Sequence, residues 1–195
     1  MANDSSLVID SLSDHARRKT TPVAGLYCDF PPQQGQSTVS MLGAILRQLV
    51  SRGEIPEHIW GYLERAKEAF GSPGPPLPDM EEILNKTIAP LQRAYVCIDA
   101  VDELAPKHRR DLLGSLQAIV RVSPKMRILI TGGPRIDDEI LEFFIEAVWI
   151  PISPSQDDIK SYLEMRLGGD TTPEAMDGQL RADIMRVIPE KASEM

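Results

Sequence analysis

Strand-type and helix-type hydrophobic patterns alternate along this chain. Four short and almost wholly apolar runs predict strands buried in a sheet, at residues 23–28, 94–99, 127–131 and 147–152. Between and before them, apolar residues recur at helical spacing over 5–16, 37–53, 56–70, 79–88, 107–121 and 136–146. Strands that alternate with helices of this length favour right-handed βαβ units. The pattern therefore predicts an α/β fold with a parallel sheet flanked by helices.

The pattern changes after residue 152. Ser155-Gln-Asp-Asp158 resembles a capping box with Asp in place of Glu, and a helix with Ile159, Leu163 and Leu167 on one face follows it. A loop over 168–173 and one more helical stretch complete the chain. We therefore predict an α/β domain over residues 1–152 and the beginning of a helical domain over 153–195.

Composition narrows the possible partners. The formal net charge of -8 leaves no basic surface that could displace the counterions of a nucleic acid, so we expect no nucleic-acid binding. The sequence has no apolar stretch of membrane-spanning length. Cys28 and Cys97 sit within apolar runs and form no Cys-x-x-Cys pair, which favours buried thiols in a reducing compartment over a metal site or a disulfide. We expect a cytoplasmic protein.

Polar side chains follow two of the predicted strands directly. Asp99, Asp102 and Glu103 come after the strand that begins at Ala94, and Thr131 ends the strand that contains Ile128. The carboxyl ends of parallel strands lie at one rim of a sheet, where ligands of such folds bind. An acid at a buried strand end suits Mg²⁺ beside phosphate oxygens, and a second acid a few residues later can orient or deprotonate a water molecule. The alternative is structural: Asp99 caps the next turn and the other two acids are solvated.

The wider sequence resembles a known family. Tyr95-Val-Cys-Ile-Asp-Ala-Val-Asp-Glu-Leu104 resembles the Walker B segment of NACHT domains, including the additional acids. Ala24–Phe30, Gln36-Ser37 and Leu42–Leu49 resemble the NACHT subgroup common in fungal STAND (NOD-like receptor) proteins, which is related to the N-terminal region of nephrocystin-like proteins. Ile128–Thr131 is similar to the sensor strand of that family, and Asp157–Leu163 to the start of its helical region.

The resemblance implies a nucleotide switch built on a P-loop NTPase-like sheet. In the complete family domain it implies Mg²⁺ and ATP or GTP as cofactors. Asp99 would bind the magnesium, Asp102 or Glu103 would orient the attacking water, and Thr131 and Arg135 would belong to the sensor region near the terminal phosphate. It also implies a parent protein that carries an effector and repeats, and that acts through protein partners or self-association.

Two departures from the family pattern bear on activity. The family's Gly-x-x-x-x-Gly-Lys-Ser/Thr loop, which cradles the phosphates, has no counterpart in the 195 residues. Residues 5–12 resemble the helix after that loop, so the sequence begins where the loop would lie, and the resemblance is incomplete at both ends. The second departure is Thr131-Gly-Gly-Pro-Arg135 in place of the usual Thr-Ser-Arg, which puts the arginine two positions late.

These departures define three hypotheses. The first is an incomplete NACHT domain that lacks the first strand and the phosphate loop. Under this hypothesis the chain as it stands neither binds nor hydrolyses nucleotide and has no cofactor of its own. The second is a pseudo-NTPase that acts as a protein-interaction module, and the third is an unrelated α/β enzyme that uses Asp99 with a metal. Because a missing central strand would leave a sheet edge open, we expect the first case to give an aggregated or molten protein.

Overall fold

The computed structural model describes residues 11–12, 14, 21–28, 37–51, 53–68, 75–152, 155–169 and 177–192. Most of the helix predicted over 5–16 and most of the 168–173 loop lie outside this part of the chain. The chain divides into two compact units, Met1–Ala147 and Val148–Met195.

The first unit contains a parallel sheet of three strands among the described residues, in the order β1 (Val23–Tyr27), β2 (Ala94–Asp99) and β3 (Met126–Ile130). Both strand pairs are parallel, and Ile98 of β2 aligns with Leu26 on one side and Ile130 on the other. The predicted α/β class with a parallel sheet flanked by helices is confirmed. The central strand is the most buried, as its continuous apolar run predicts.

Five α-helices of the described part surround this sheet along the chain: α1 (Thr38–Val50), α2 (Glu57–Glu68), α3 (Leu77–Ile88), α4 (Pro106–Val122) and α5 (Asp137–Phe143). Ser37 caps α1 by accepting a hydrogen bond from the Ser40 N–H. The helix predicted over 79–88 begins two residues earlier, at Leu77, so Asp79 lies in its first turn. Pro78 is tolerated there since the first-turn N–H groups have no partner within a helix.

The core of this unit joins the sheet to α1, α3 and α4. Helix α1 packs against β1 and α3, and α4 packs against α3 and α5. The largest side chains with less than 2 % of their surface exposed are Leu42, Ile45, Leu84, Ile88, Val96, Ile98, Val101, Leu112, Leu113, Leu116 and Ile119. Full burial of each such aliphatic side chain contributes about 1.5–3 kcal/mol, so this cluster fixes the relative positions of the strand ends.

The strand predicted over 147–152 was wrong. None of these residues pairs with a described strand, and 147–152 are outside regular secondary structure. Val148, Ile150 and Ile152 are 87 %, 71 % and 72 % exposed, so their apolar character does not reflect burial in this sheet. A strand needs a neighbour for its backbone hydrogen bonds, and Pro151 lacks one of the donors.

The second unit contains helices α6 (Gln156–Gly168) and α7 (Gly178–Ala192), which pack against each other. The predicted capping box is confirmed: the Ser155 hydroxyl accepts from the Asp158 N–H, and the Asp158 carboxylate accepts from the Ser155 N–H. The Ser155 hydroxyl also donates to Asp158 Oδ2 at 2.6 Å, and this bond together with the one from the Ser155 N–H lowers the pKa of Asp158. No helix in the described ranges of either unit has the length and apolarity needed to cross a membrane.

Candidate functional site

Thr131 joins the carboxyl ends of β2 and β3. Its hydroxyl donates to Asp99 Oδ1 at 2.5 Å and accepts from the Ala100 N–H at 3.0 Å. Its backbone N–H donates to the Ile98 carbonyl, and its own carbonyl accepts from the Val101 N–H, both at 2.9 Å. The structure thus brings together Asp99 and Thr131, two of the residues that the sequence singled out. The hydrogen bond from Thr131 fixes Asp99 Oδ1, while Asp99 Oδ2 has no hydrogen-bond partner among the described residues.

A left-handed turn follows Asp99. Ala100 has φ 54° and ψ 48°, a conformation that costs a residue with a Cβ roughly 1–2 kcal/mol. The three hydrogen bonds that link Thr131 with Asp99, Ala100 and Val101 hold this turn in place. Strain that is maintained by its surroundings concentrates at functional sites, and here it reverses the chain immediately after the acid. No pattern in the sequence indicates this turn, because alanine is not a residue that favours positive φ.

Asp102 and Glu103 lie in the short 3-10 turn Val101–Glu103, and both are exposed. The Asp102 carboxylate lies against Gly132 and Gly133: a Cβ at either position would come within 3.2 Å or 3.0 Å of its oxygens. A Cβ at Gly132 would also meet the Ile136 side chain at 2.6 Å. Gly132 and Gly133 therefore leave room for the Asp102 carboxylate beside the end of β3, and both strand ends contribute to one rim.

Arg109 positions the turn that carries these acids, and sequence reasoning missed it. Its guanidinium donates to Glu139 Oε2 through Nε at 2.8 Å and to the Leu104 carbonyl through Nη1 at 3.1 Å. The Arg109 and Glu139 side chains are only 12 % and 15 % exposed. The other Glu139 oxygen accepts no hydrogen bond, and Arg110 Nη1 lies 3.9 Å from it. A partly buried pair of this kind ties the acidic turn to α5.

Arg135, the remaining predicted site residue, is exposed in the 3-10 turn Pro134–Ile136, and no hydrogen bond or ion pair links it to another described residue. Among the described side chains there is also no group of three or more His, Cys, Asp and Glu residues arranged to hold a metal ion. The site is thus a single anchored carboxylate, Asp99, with two exposed acids nearby in sequence. That donor set suits an ion that takes most of its ligands from water and phosphate, as Mg²⁺ does.

A protein-family model described as Nephrocystin 3, N-terminal, matches residues 5–132, about two thirds of the chain. The matched range contains all three strands, Asp99, Asp102, Glu103 and Thr131. It ends before Arg135 and the helices of the second unit. A search of curated proteins finds no match.

Proposed function

The chain belongs to the nephrocystin 3 N-terminal family, and on that premise we propose that it supplies the acidic and sensor parts of a NACHT-type nucleotide switch. In this proposal the chain is an incomplete NACHT domain of a STAND-type signalling NTPase. Its own residues neither bind nor hydrolyse nucleotide, because they include no glycine-lysine phosphate loop. ATP or GTP binding needs such a loop to be supplied at the amino side of residue 5.

One observation carries this proposal: the Thr131 hydroxyl donates to Asp99 Oδ1 across neighbouring strand ends. A carboxylate that only caps a turn would accept from backbone N–H groups of that turn. Here the backbone donors of the turn, Ala100 and Val101, are satisfied by Thr131 instead. Asp99 is therefore held in one orientation by a side chain of the sensor strand, which is the preorganisation that an electrostatic site requires.

The residues fit a magnesium-bound nucleotide, which in the complete domain would supply the phosphoanhydride bond that is cleaved. Asp99 Oδ2 offers a hard oxygen ligand, and the hydrogen bond to Oδ1 limits rotation of the carboxylate. Asp102 or Glu103 would orient a water molecule and accept its proton, since both are exposed at the same rim. Thr131 would act as the sensor contact, whereas Arg135 would need its turn to move before it could reach a phosphate.

The second candidate is a protein-interaction module that works without nucleotide. The observation in its favour is a run of exposed apolar side chains at the start of the second unit: Val148, Trp149, Ile150 and Ile152 are 87 %, 44 %, 71 % and 72 % exposed. Contiguous exposed apolar residues are typical of surfaces that bind another protein. Under this alternative Asp99 and Thr131 would stabilise the sheet and have no ligand.

Titration calorimetry distinguishes the two candidates. We expect the 195-residue chain to give no saturable heat with Mg²⁺ and millimolar ATP or GTP, because Asp99 alone cannot replace the backbone cradle and lysine. A chimera with a family-type strand and Gly-x-x-x-x-Gly-Lys-Thr loop placed before residue 5 should bind one of the two nucleotides in the micromolar range.

A loop-free chain that binds with a micromolar dissociation constant contradicts the proposal. A folded chimera that still binds no nucleotide also contradicts it and favours the interaction module. Circular dichroism of the chimera is the control for folding. A variant that replaces the lysine of its phosphate loop is the control for specific nucleotide binding.

A further inference from the structure

The sensor turn, Pro134–Ile136, carries Arg135 and continues without a break into helix α5. The Asp137 N–H donates to the Pro134 carbonyl across this junction. The Ile136 side chain, only 4 % exposed, anchors the turn in the core. The sensor turn and the first residues of α5 therefore form one piece, and a contact that fixes this end of α5 also fixes the backbone at Arg135.

The Arg109 side chain links this end of α5 to the acidic turn, Val101–Glu103. Its Nε and Nη2 lie 2.8 Å and 2.7 Å from Oε2 of Glu139, which belongs to the first turn of α5. Its Nη1 donates to the Leu104 carbonyl at 3.1 Å and reaches the Asp102 carbonyl at 3.5 Å. Arginine suits such a link, because its planar guanidinium presents several donors in a fixed geometry.

A second path joins the same two turns. The Asp102 carboxylate lies against Gly132 and Gly133, which directly precede the sensor turn: a Cβ on these glycines would come within 3.2 Å and 3.0 Å of its oxygens. The contacts form a closed circuit, which runs from the Asp102 carboxylate through the glycines and α5 to Arg109 and back to the Asp102 carbonyl. Neither turn can shift alone without breaking contacts on this circuit.

Glu139 is held in the circuit by one oxygen only. Its Oε1 is buried and accepts no hydrogen bond from the described residues, and Arg110 Nη1 lies 3.9 Å away. Arg110 Nη2 bonds instead to Glu142 at 2.7 Å. A buried carboxylate oxygen without a partner is unfavourable, so this ion pair is a poor device for stability alone. Its geometry fits a group that positions Arg109 through the other oxygen.

We propose that Arg109 and Glu139 are positioning residues that couple the acidic turn to the sensor turn, so that the two turns change position together. The coupling is a property of the chain itself, and its role in a nucleotide switch rests on the proposed function. In the complete domain, movement of Arg135 toward a terminal phosphate would also reposition Asp102 and Glu103, the acids assigned to the attacking water.

Site-resolved hydrogen exchange in the full 195-residue chain tests the coupling without nucleotide. Glu139→Gln keeps the shape of the side chain and removes the charge that Arg109 binds. The amides of Glu103 and Leu104, which bond within the acidic turn, should then exchange at least ~10-fold faster, because hydrogen bonds between charged groups are the strong ones. The Val96 amide, at the centre of the sheet, should keep its exchange rate, which separates local loosening from global unfolding.

Arg109→Lys is the reciprocal test. Lysine keeps the positive charge, but an ammonium group lacks the fork that binds Glu139 and the Leu104 carbonyl together. The Ile136 and Asp137 amides, in and after the sensor turn, should therefore exchange at least ~10-fold faster. Both should exchange as in the unmodified chain in the control described next.

Glu142→Gln is the matched control on the same helix. It removes the charge that pairs with Arg110, in an ion pair whose side chains are 57 % and 52 % exposed and which lies outside the circuit. Exchange in the acidic turn and in the sensor turn should stay within about twofold of the unmodified chain, since exposed pairs contribute little.

Three results overturn the proposal: unchanged exchange of the acidic turn in Glu139→Gln, an equal effect of Glu142→Gln, or an Arg109→Lys variant that loosens the acidic turn alone. If Glu139→Gln also speeds exchange at Val96, the whole chain has been destabilised and the sensor turn in Arg109→Lys decides the question. Failure of these tests leaves the proposed nucleotide site standing, and a chimera that binds no nucleotide leaves the coupling standing.

Discussion

In the loop-supplied chimera, Asp99→Ala should lower kcat/KM for nucleotide hydrolysis by about 10²–10³-fold, the loss typical of removing one preorganised electrostatic group. The physical reason is the position of Asp99 at the end of a buried central strand, with one carboxylate oxygen fixed by Thr131 at 2.5 Å. Alanine removes the hard oxygen ligand and leaves the strand itself intact. A steady-state phosphate-release assay with saturating Mg²⁺ measures the effect.

Asp111→Asn is the matched control for that prediction. Asp111 is an acid of the same unit, on α4, where it pairs with Lys107 at 2.7 Å and its side chain is 41 % exposed. Its replacement should leave hydrolysis within about twofold, since an exposed ion pair contributes little. If Asp99→Ala hydrolyses nucleotide as well as Asp111→Asn does, the assignment of Asp99 to magnesium is wrong.

Thr131→Val should destabilise the unmodified chain by about 1–3 kcal/mol. Valine has nearly the same shape as threonine but no hydroxyl, so packing is kept. Asp99 Oδ1 and the Ala100 N–H each lose the hydrogen bond that Thr131 makes at 2.5 Å and 3.0 Å. The strained left-handed turn at Ala100 is then stabilised by fewer hydrogen bonds. Urea unfolding followed by far-UV circular dichroism gives the change in free energy of unfolding, with an unchanged m-value expected.

Thr131→Ser separates the contribution of the hydroxyl to stability from that of the methyl group. Serine keeps the donor to Asp99 and the acceptor for Ala100, and it removes one methyl group from a half-buried position. Thr131→Ser should therefore lower the free energy of unfolding by less than Thr131→Val does. Equal losses for the two variants would mean that packing, and not the hydrogen bonds across the strand ends, stabilises this turn.

The sheet was predictable because its strands are buried. The apolar runs predicted over 23–28, 94–99 and 127–131 correspond to the strands Val23–Tyr27, Ala94–Asp99 and Met126–Ile130, and helical periodicity located the helices between them. The same reasoning failed over 147–152, where an apolar run is exposed and unpaired. Hydrophobicity indicates that a segment tends to be buried, but it does not supply the neighbouring strand whose backbone would make the hydrogen bonds.

The candidate site was predictable in part. The placement of acids directly after one strand and of Thr131 after the next follows from parallel topology alone, and the structure joins Asp99 to Thr131. Arg109 could not be found in this way, because its partners are the Leu104 carbonyl and the side chain of Glu139, which lies 30 residues away in sequence. Long-range contacts of this kind depend on how the helices pack on the sheet, which single-sequence periodicity does not specify.

Paramagnetic broadening in the loop-supplied chimera tests the central claim most directly, namely that the carboxyl-end rim of the sheet is the metal-nucleotide site. Mn²⁺ prefers oxygen ligands as Mg²⁺ does and broadens the NMR signals of nearby amides. With nucleotide bound, trace Mn²⁺ should broaden the amide signals of residues 99–102 and 131–133 first. Those of Val23, Ala94 and Met126, at the amino ends of the strands, should remain sharp. Broadening that begins at the amino ends, or that spares residues 99–102 and 131–133, would contradict the account.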